Sequence, residues 1–195
     1  MKTYRRVASL TTAEKFAEYL DSVGARMAFD PELRTGSDSP LDQPLETGSK
    51  TVGNRFSILP IEGWDGQTDS NPTELTLRRW KRFGQSGAKR IAGGEAVAVR
   101  ADGRANPNPL IASDETVRGL EALRVALVEE NQQRYHKPDD LLIGLQLTHS
   151  GRFSRPEKGG WQSRTVHAHP VLDEKFNVAP TAILSGSDID ELILH

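Results

Sequence analysis

The side chains best suited to chemistry in this chain follow one short apolar run. Residues 141–147 are mostly aliphatic, and the polar residues Gln146, Thr148, His149 and Arg152 are concentrated at the end of the run. An apolar run of this length, bounded by turn residues, predicts a strand that is buried on both faces. Such strands belong mostly to parallel sheets covered by helices, and polar groups at their carboxyl ends form the binding sites of α/β barrels and open α/β sheets. The pattern therefore predicts a ligand site at the mouth of a βα structure.

Composition argues against several classes of partner and site. The 195 residues carry a net charge of -2, which gives no reason to expect nucleic acid or a membrane surface as a partner. Basic residues cluster at 78–82, but acidic and apolar neighbours flank them, so we predict a solvated helix face. Without cysteine, the chain offers no disulfide, no thiolate nucleophile and no Cys-ligated metal. Together with the lack of a signal-peptide pattern at the N-terminus, this leads us to expect a cytoplasmic protein.

Strands and helices alternate along most of the chain. The predicted elements are a helix at 12–29 capped by Thr12, a hairpin at 45–52, strands at 55–61, 89–99 and 141–147, helices beginning at Asn71 and Ser113, and a final helix from Ser187. Pro60 cannot donate to a strand ladder, so it should lie at or beyond the end of its strand. The β-α-β-α-β order predicts a parallel sheet with right-handed crossovers. We expect a partial (β/α)₈ barrel, because a complete one takes about 250 residues.

Two glycines interrupt the second predicted strand. Gly93 and Gly94 are poor strand residues by propensity, and glycine in a strand often marks a place where a ligand or another backbone approaches closely. One interpretation is that a planar ligand lies against this backbone. The other is tight packing between a helix and the sheet, which this segment taken alone favours.

Three sequence blocks resemble the Old Yellow Enzyme family, also called NADH:flavin oxidoreductases. The blocks lie at residues 54–62 (NRFSILPIE), 94–104 (GEAVAVRADGR) and 146–152 (QLTHSGR), and they follow the family's order. The resemblance covers about residues 44–195 and implies the first three strands of an FMN-binding (β/α)₈ barrel, apparently truncated. Residues 1–43 are then a separate helical extension and connection.

The resemblance also implies roles for individual residues. Leu59, Pro60 and Ile61 match positions whose backbone lies along the flavin, and Ala96 matches a small residue beneath the isoalloxazine ring. Gln146 matches the amide that pairs with the pyrimidine edge of the flavin, and its donor and acceptor suit an N–H flanked by a carbonyl.

Two further positions complete the implied FMN site. Glu62 stands where many relatives have Thr or Cys, so its carboxylate is a departure that should lower the flavin potential. Arg152 either faces the phosphate or ribityl side of the flavin or braces its loop through an ion pair. The family's substrate-binding histidine pair and its tyrosine proton donor come on later strands, so the resemblance assigns no catalytic residue to this chain.

The implied function is that of an FMN-dependent oxidoreductase of the ene-reductase type. NADH or NADPH would be the reductant, and a small molecule would be the electron acceptor. The isolated chain would then carry only part of the flavin site and have little or no activity, and its open edge would pair with a complementary barrel half or a second copy.

Two alternatives remain. The chain is either a non-catalytic half-barrel that assembles with a partner chain as a structural or binding module, or part of a barrel enzyme without flavin. For the latter, Glu62 and Glu95 would be the only candidate carboxylate pair for glycoside cleavage. His167 and His169 are interpreted as surface histidines in a loop, because no third metal ligand is indicated.

Overall fold

The computed structural model describes residues 4–194, which divide into two compact units. The first unit ends at Gln43 and the second begins at Pro44. In the first unit, α1 (Ala13–Val23) begins at Thr12, whose side chain accepts from the Lys15 backbone N–H. The helix ends at Gly24, where φ is +68°, earlier than the residue 29 predicted from apolar spacing. Left-handed backbone geometry at a glycine is a common way to end a helix.

The second unit begins with the predicted hairpin. Strands β1 (Leu45–Thr47) and β2 (Lys50–Val52) pair antiparallel across a turn at Gly48 and Ser49. The main sheet follows, with three strands in the order β3-β4-β5, all parallel. They are β3 (Ser57–Ile58), β4 (Arg90–Ala98) and β5 (Leu142–Thr148). β3 is shorter than predicted, and Pro60 lies beyond its end as expected.

Two helices provide the crossovers between these strands. α2 (Glu74–Gln85) joins β3 to β4, and α3 (Val117–Tyr135) joins β4 to β5. α2 is capped by Thr73 and not by Asn71, because a reciprocal pair of hydrogen bonds with Thr76 closes its first turn. α3 likewise begins after Thr116, three residues beyond the predicted Ser113 cap. Its end at His136 is as predicted, with a φ of +57°.

The apolar core lies between the sheet and these two helices. α2 contributes Trp80, α3 contributes Leu123 and Leu127, and β4 contributes Ile91 and Val97. Each of these side chains is at most 1% exposed. The β-α-β-α-β unit has the parallel strands and crossover helices from which (β/α)₈ barrels are built, as the sequence predicted, and within residues 4–194 its three strands form an open sheet.

The prediction that β5 is buried on both faces was wrong. Leu145 and Leu147 are 38% and 62% exposed, and Gln146 between them is also exposed. β5 is the edge strand of the sheet, and its side chains point to the two faces of that sheet. Among residues 4–194 no helix or strand covers either face at Leu145, Gln146 and Leu147.

Two helices follow β5. The sequence predicts a loop around His167 and His169, but α4 (Pro170–Phe176) forms there, with His169 as its N-cap. α5 (Gly186–Leu194) lies where the final helix was predicted. Within residues 4–194, none of the helices combines the length and the apolar character that crossing a bilayer requires.

Candidate functional site

The carboxyl ends of the three parallel strands bring most of the predicted site residues together. The Ala96 backbone N–H on β4 donates to the Ile61 carbonyl, which follows β3, over 3.1 Å. On the other side, Ala96 is in register with Gln146 on β5. The segment after β3, the middle strand and the edge strand are therefore held side by side at one edge of the sheet.

A bulge in β4 shapes this edge. Between Ala92 and Ala96 the pairing with β5 shifts, so that Gly93, Gly94 and Glu95 face only Leu145. Gly93 has a φ of +87°, a backbone conformation that L side chains rarely adopt. Bulges of this kind are frequent beside active sites, where they redirect side chains.

The two glycines have different structural reasons. A Cβ on Gly93 would stand 2.8 Å from the Gln146 backbone nitrogen and 3.1 Å from Pro60 Cγ, so a neighbouring backbone approaches closely at this point. A Cβ on Gly94 would stand 3.1 Å from the Trp80 ring on α2. The helix–sheet packing favoured from the sequence therefore explains Gly94, whereas Gly93 permits the bulge and the approach of Pro60 and Gln146.

The exposure of the assembled residues defines an open wall. Leu59 and Ile61 are 69% and 51% exposed, and Gln146 is exposed. Within residues 4–194 the Gln146 carboxamide makes no hydrogen bond, so its donor and acceptor are both available to a ligand. Ala96 is only 4% exposed and forms the buried seam between the two sides. Apolar side chains with a small number of convergent polar groups are the usual lining of sites for small organic ligands.

Glu62 and Trp64 flank this wall. Glu62 is half-buried, and its Oε2 accepts from the Trp64 indole nitrogen over 2.9 Å. Trp64 is 57% exposed and has a φ of +53°, which is rare for a bulky residue. Trp64 was not predicted as a site residue, although its position two residues after Glu62 in a Gly/Asp-rich loop was a usable signal.

Within the described chain, Arg152 forms polar contacts with residues of other segments and with none of the residues of this wall. Its guanidinium forms an ion pair with Asp173 on α4 and donates to the His167 carbonyl over 2.7 Å. Of the two roles considered for it, these contacts correspond to the loop brace. The partner Asp173 belongs to the helix that the sequence analysis missed, so the pair could not be anticipated from spacing alone.

A polar cluster lies next to the wall, around the Asp102 carboxylate. Arg164 Nε donates to it over 3.2 Å, Arg100 Nε over 3.1 Å, and His149 Nε2 lies 3.8 Å away. Burial opposes ionisation of Asp102, but the hydrogen bond from Arg164 and the charge of Arg100 outweigh it and lower its pKa. Burial lowers the pKa of His149, and its Nδ1 accepts from the Gly151 N–H. The charged groups of this cluster are paired with one another, and the cluster joins the loops that follow β4 and β5.

The histidines at 167 and 169 do not form a metal site. His167 is exposed, and His169 Nδ1 accepts from the Leu172 N–H as the cap of α4. Among residues 4–194, no three His, Asp or Glu side chains lie together in a way that could hold a metal ion. The two carboxylates considered for glycoside cleavage already have partners. Glu95 forms an ion pair with Arg79, and Glu62 accepts a hydrogen bond from Trp64.

Comparisons with known proteins gave matches among solved structures only. No protein-family model matches the sequence, and no curated protein matches it. Morphinone reductase in complex with tetrahydroNAD is 26% identical over 58% of this chain and 28% of that chain, with a TM-score of 0.46. An old yellow enzyme homologue from Zymomonas mobilis is 25% identical over 57% and 28%, with a TM-score of 0.45.

A third similar structure is the old yellow enzyme from Trypanosoma cruzi. It is 25% identical over 59% of this chain and 28% of that chain, with a TM-score of 0.47. These neighbours are Old Yellow Enzymes, the family that the sequence blocks resemble. The chain spans less than a third of the length of each of them.

Proposed function

We propose that this chain forms one wall of an FMN site in an oxidoreductase of the ene-reductase type. The reductant would be NADH or NADPH, and the acceptor would be a small molecule with an electron-poor double bond. The observation that carries the proposal is the convergence of Pro60, Ile61 and Gln146 around the Gly93 bulge, at the carboxyl ends of three parallel strands. Ligand sites of α/β barrels lie at this end of the strands.

The residues present fit the edge of a flavin ring. The open surfaces of Leu59 and Ile61 offer apolar contact to a flat ring. The Gln146 carboxamide has a donor and an acceptor without protein partners in the described chain, which suits the alternating N–H and carbonyl groups of a pyrimidine edge. FMN would supply the redox chemistry, while this chain would contribute orientation and electrostatics.

Glu62 would set the electrostatics of this site. Its carboxylate is half-buried beside Ile61, where a fixed negative charge opposes the addition of electrons to a nearby ring. The hydrogen bond from Trp64 restrains the carboxylate at this position. A site built this way would hold a flavin of lowered reduction potential, which favours passing hydride on to an acceptor.

The second candidate function is a non-catalytic half-barrel that assembles with a partner chain. A groove of about 460 Å³ favours it, because Val117 and Leu120 on α3 and the exposed Leu145 and Leu147 on β5 line that groove. A complementary barrel half or a second copy would bury this surface. Such a module would need no flavin.

Equilibrium titration of the purified chain with FMN, followed by quenching of flavin fluorescence, separates the two functions. We expect saturable binding at one FMN per chain, weakened about tenfold in Gln146→Leu by the loss of its hydrogen bonds to the ring. Gln133→Leu, an exposed glutamine on α3, is the matched control and should bind as the wild type does. A folded chain that binds no FMN would contradict the flavin function and leave the assembly module.

A further inference from the structure

A partly buried ion-pair network contacts the loop that follows β3, next to the candidate flavin wall. Arg79, on α2, contacts two carboxylates with one guanidinium group. It pairs with Asp65 in the loop after β3, and its Nη2 lies 2.5 Å from Glu95 Oε2 on β4. The basic run at 78–82 was interpreted as a solvated helix face, which is wrong for Arg79 because only 20% of its side chain is exposed.

Glu95 connects this arginine to the backbone of the wall. Its side chain is 3% exposed, and its Oε1 accepts from the Gly63 N–H over 2.8 Å. Burial raises the pKa of Glu95, although the Gly63 N–H and Arg79 favour the charged form. A buried carboxylate is tolerated only with a counter-charge and hydrogen bonds. Arg79 is the only cation that forms an ion pair with Glu95 within residues 4–194.

The segment after β3 is therefore tied at alternate residues. The Ile61 carbonyl accepts from Ala96, the Gly63 N–H donates to Glu95, and the Asp65 carboxylate accepts from Arg79 and, over 2.9 Å, from Thr76. The tie at Gly63 depends on Arg79 through Glu95, and the tie at Asp65 is shared between Arg79 and Thr76. The intervening residues Glu62 and Trp64 bond to each other.

Gly63 shows how closely the arginine is fitted to this segment. A Cβ on Gly63 would coincide with the guanidinium group of Arg79, so any other residue would displace the arginine. The guanidinium thus packs against the backbone of the loop as well as pairing with its charges. Planar, bidentate contacts of this kind fix geometry in a way that a lysine ammonium cannot reproduce.

We propose that Arg79 is a positioning residue, which holds the segment from Ile61 to Asp65 at the distance from Gln146 that a flavin ring requires. This inference rests on the proposed FMN site. Arg79 acts through Glu95 and Asp65 and lies next to the wall, so it need not touch the ring. Loss of its charge would leave Glu95 buried without a counter-ion and would weaken the tie at Gly63. Asp65 would lose its ion pair with Arg79 but would keep its hydrogen bond from Thr76.

The test compares Arg79→Met with Arg79→Lys, with Arg79→Met/Glu95→Gln and with the control Arg78→Met, an exposed arginine one position earlier on the same helix. The first readout is hydrogen exchange at the Gly63 and Ala96 amides, which needs no flavin. The second is FMN affinity together with the absorption spectrum of the bound flavin. Circular dichroism establishes that each variant is folded.

In Arg79→Met we expect Gly63 to exchange at least about tenfold faster, while the amide of Leu127 in the core is unchanged. FMN affinity should fall about tenfold or more, with a shift in the flavin spectrum. The double variant should recover part of both effects, because a neutral amide at 95 can still accept from Gly63 without leaving a buried charge. Arg79→Lys should lie between wild type and Arg79→Met, and it decides the question if Arg79→Met does not fold.

Two outcomes overturn the inference. If wild type binds FMN and Arg79→Met, or Arg79→Lys in its place, binds equally well with an unshifted spectrum, Arg79 has only a structural role and the proposed function stands. If folded wild type binds no FMN, the proposed function fails and the positioning role fails with it, even where Gly63 exchange shows that Arg79 holds the segment.

Discussion

Glu62 is the residue whose chemistry most distinguishes this candidate site. Its carboxylate lies beside Ile61 and accepts from the Trp64 indole. An amide at this position can still accept that hydrogen bond through its carbonyl oxygen, so Glu62→Gln removes the charge and keeps the contact.

We expect Glu62→Gln to raise the reduction potential of bound FMN, because a negative charge beside the ring opposes its reduction. The shift should be on the order of 50 mV, as for a charge pair near a protein surface. Spectroelectrochemical titration measures it, and Glu74→Gln on the exposed start of α2 is the control. An unchanged or lowered potential would place the Glu62 charge away from the flavin.

His149 makes stability depend on pH. Burial lowers the pKa of His149, with Arg100 and Arg164 acting in the same direction and Asp102 against it. In the unfolded chain a histidine takes up a proton near pH 6.5, whereas in the folded chain His149 does so only at a lower pH. Between those two values the unfolded state binds more protons, so His149 costs stability as the pH falls below about 6.5.

We expect His149→Asn to flatten the pH dependence of the free energy of unfolding between about pH 7.5 and 5. Asparagine can still accept from the Gly151 N–H, so the loop contact is kept. Urea unfolding at a series of pH values measures the difference, with His167→Asn at an exposed position as the control. If the free energy of unfolding changes with pH equally in wild type and His149→Asn, the lowered pKa of His149 is ruled out.

At the residue scale, the sequence was informative where one block contained the whole feature. Gln146 and Pro60 could be predicted to reach the same edge, because each lies at the carboxyl end of a predicted apolar strand. Arg79 and Arg152 could not be assigned, since their partners Asp65, Glu95 and Asp173 lie on other elements. An ion pair between distant segments leaves no periodicity in the sequence.

The bulge in β4 is the element that shapes the candidate site. Gly93 combines a φ of +87° with a Cβ position only 2.8 Å from the Gln146 backbone nitrogen. Gly144, on the neighbouring strand, has ordinary backbone geometry, and its nearest atoms would be 3.9 Å from a Cβ. The two glycines form a matched pair for substitution.

We expect Gly93→Ala to lower the free energy of unfolding by about 2 kcal/mol, from left-handed strain and the clash with β5. It should also weaken FMN binding, because Pro60 and Gln146 would be pushed apart. Gly144→Ala should change stability by no more than about 0.5 kcal/mol. Chemical denaturation measures both, and equal effects of the two substitutions would argue against a strained bulge.

At the element scale, strands and crossover helices followed from hydrophobic spacing, whereas their ends did not. Thr73 and Thr116 precede the helices where Asn71 and Ser113 were predicted, because several Ser, Thr and Asn residues compete for each helix start. The Thr73 side chain accepts from the Thr76 N–H as a cap, whereas the Thr116 hydroxyl donates to the Ile111 carbonyl and makes no capping bond. α4 was missed since it is short, although His169 followed by proline is an acceptable helix start.

The exposed face of β5 should govern the behaviour of the whole molecule. Leu145 and Leu147 project from the same face of the strand and line the groove of about 460 Å³ beside α3. An open sheet edge with exposed leucines favours association between chains.

We expect the chain to self-associate at micromolar concentration, and Leu147→Lys to shift it toward the monomer by at least about tenfold in dissociation constant. Sedimentation velocity over a concentration series measures the shift. Val171→Lys places the same charge on an exposed apolar residue of α4 and should have no effect. If both variants associate as wild type does, the β5 face is not the contact surface.

At the scale of the whole molecule, the sequence predicted the α/β class and the three parallel strands. It did not predict that β5 is exposed. An apolar run shows that a strand is suited to burial, but it does not show whether other elements cover the strand. The apolar character of Leu145 and Leu147 fits a covered strand, and in residues 4–194 no element covers it.

Ile61, Ala96 and Gln146 are proposed to belong to one wall that binds a flat ring. NMR titration of the chain with FMN tests this claim directly, through the Gln146 side-chain amide and the backbone amides of Ile61 and Ala96. We expect these three signals to shift together and to saturate at one FMN per chain, while the side-chain amide of Gln133 stays unchanged. Shifts that are absent from all three, or confined to the opposite end of the sheet near Lys89, would contradict the claim.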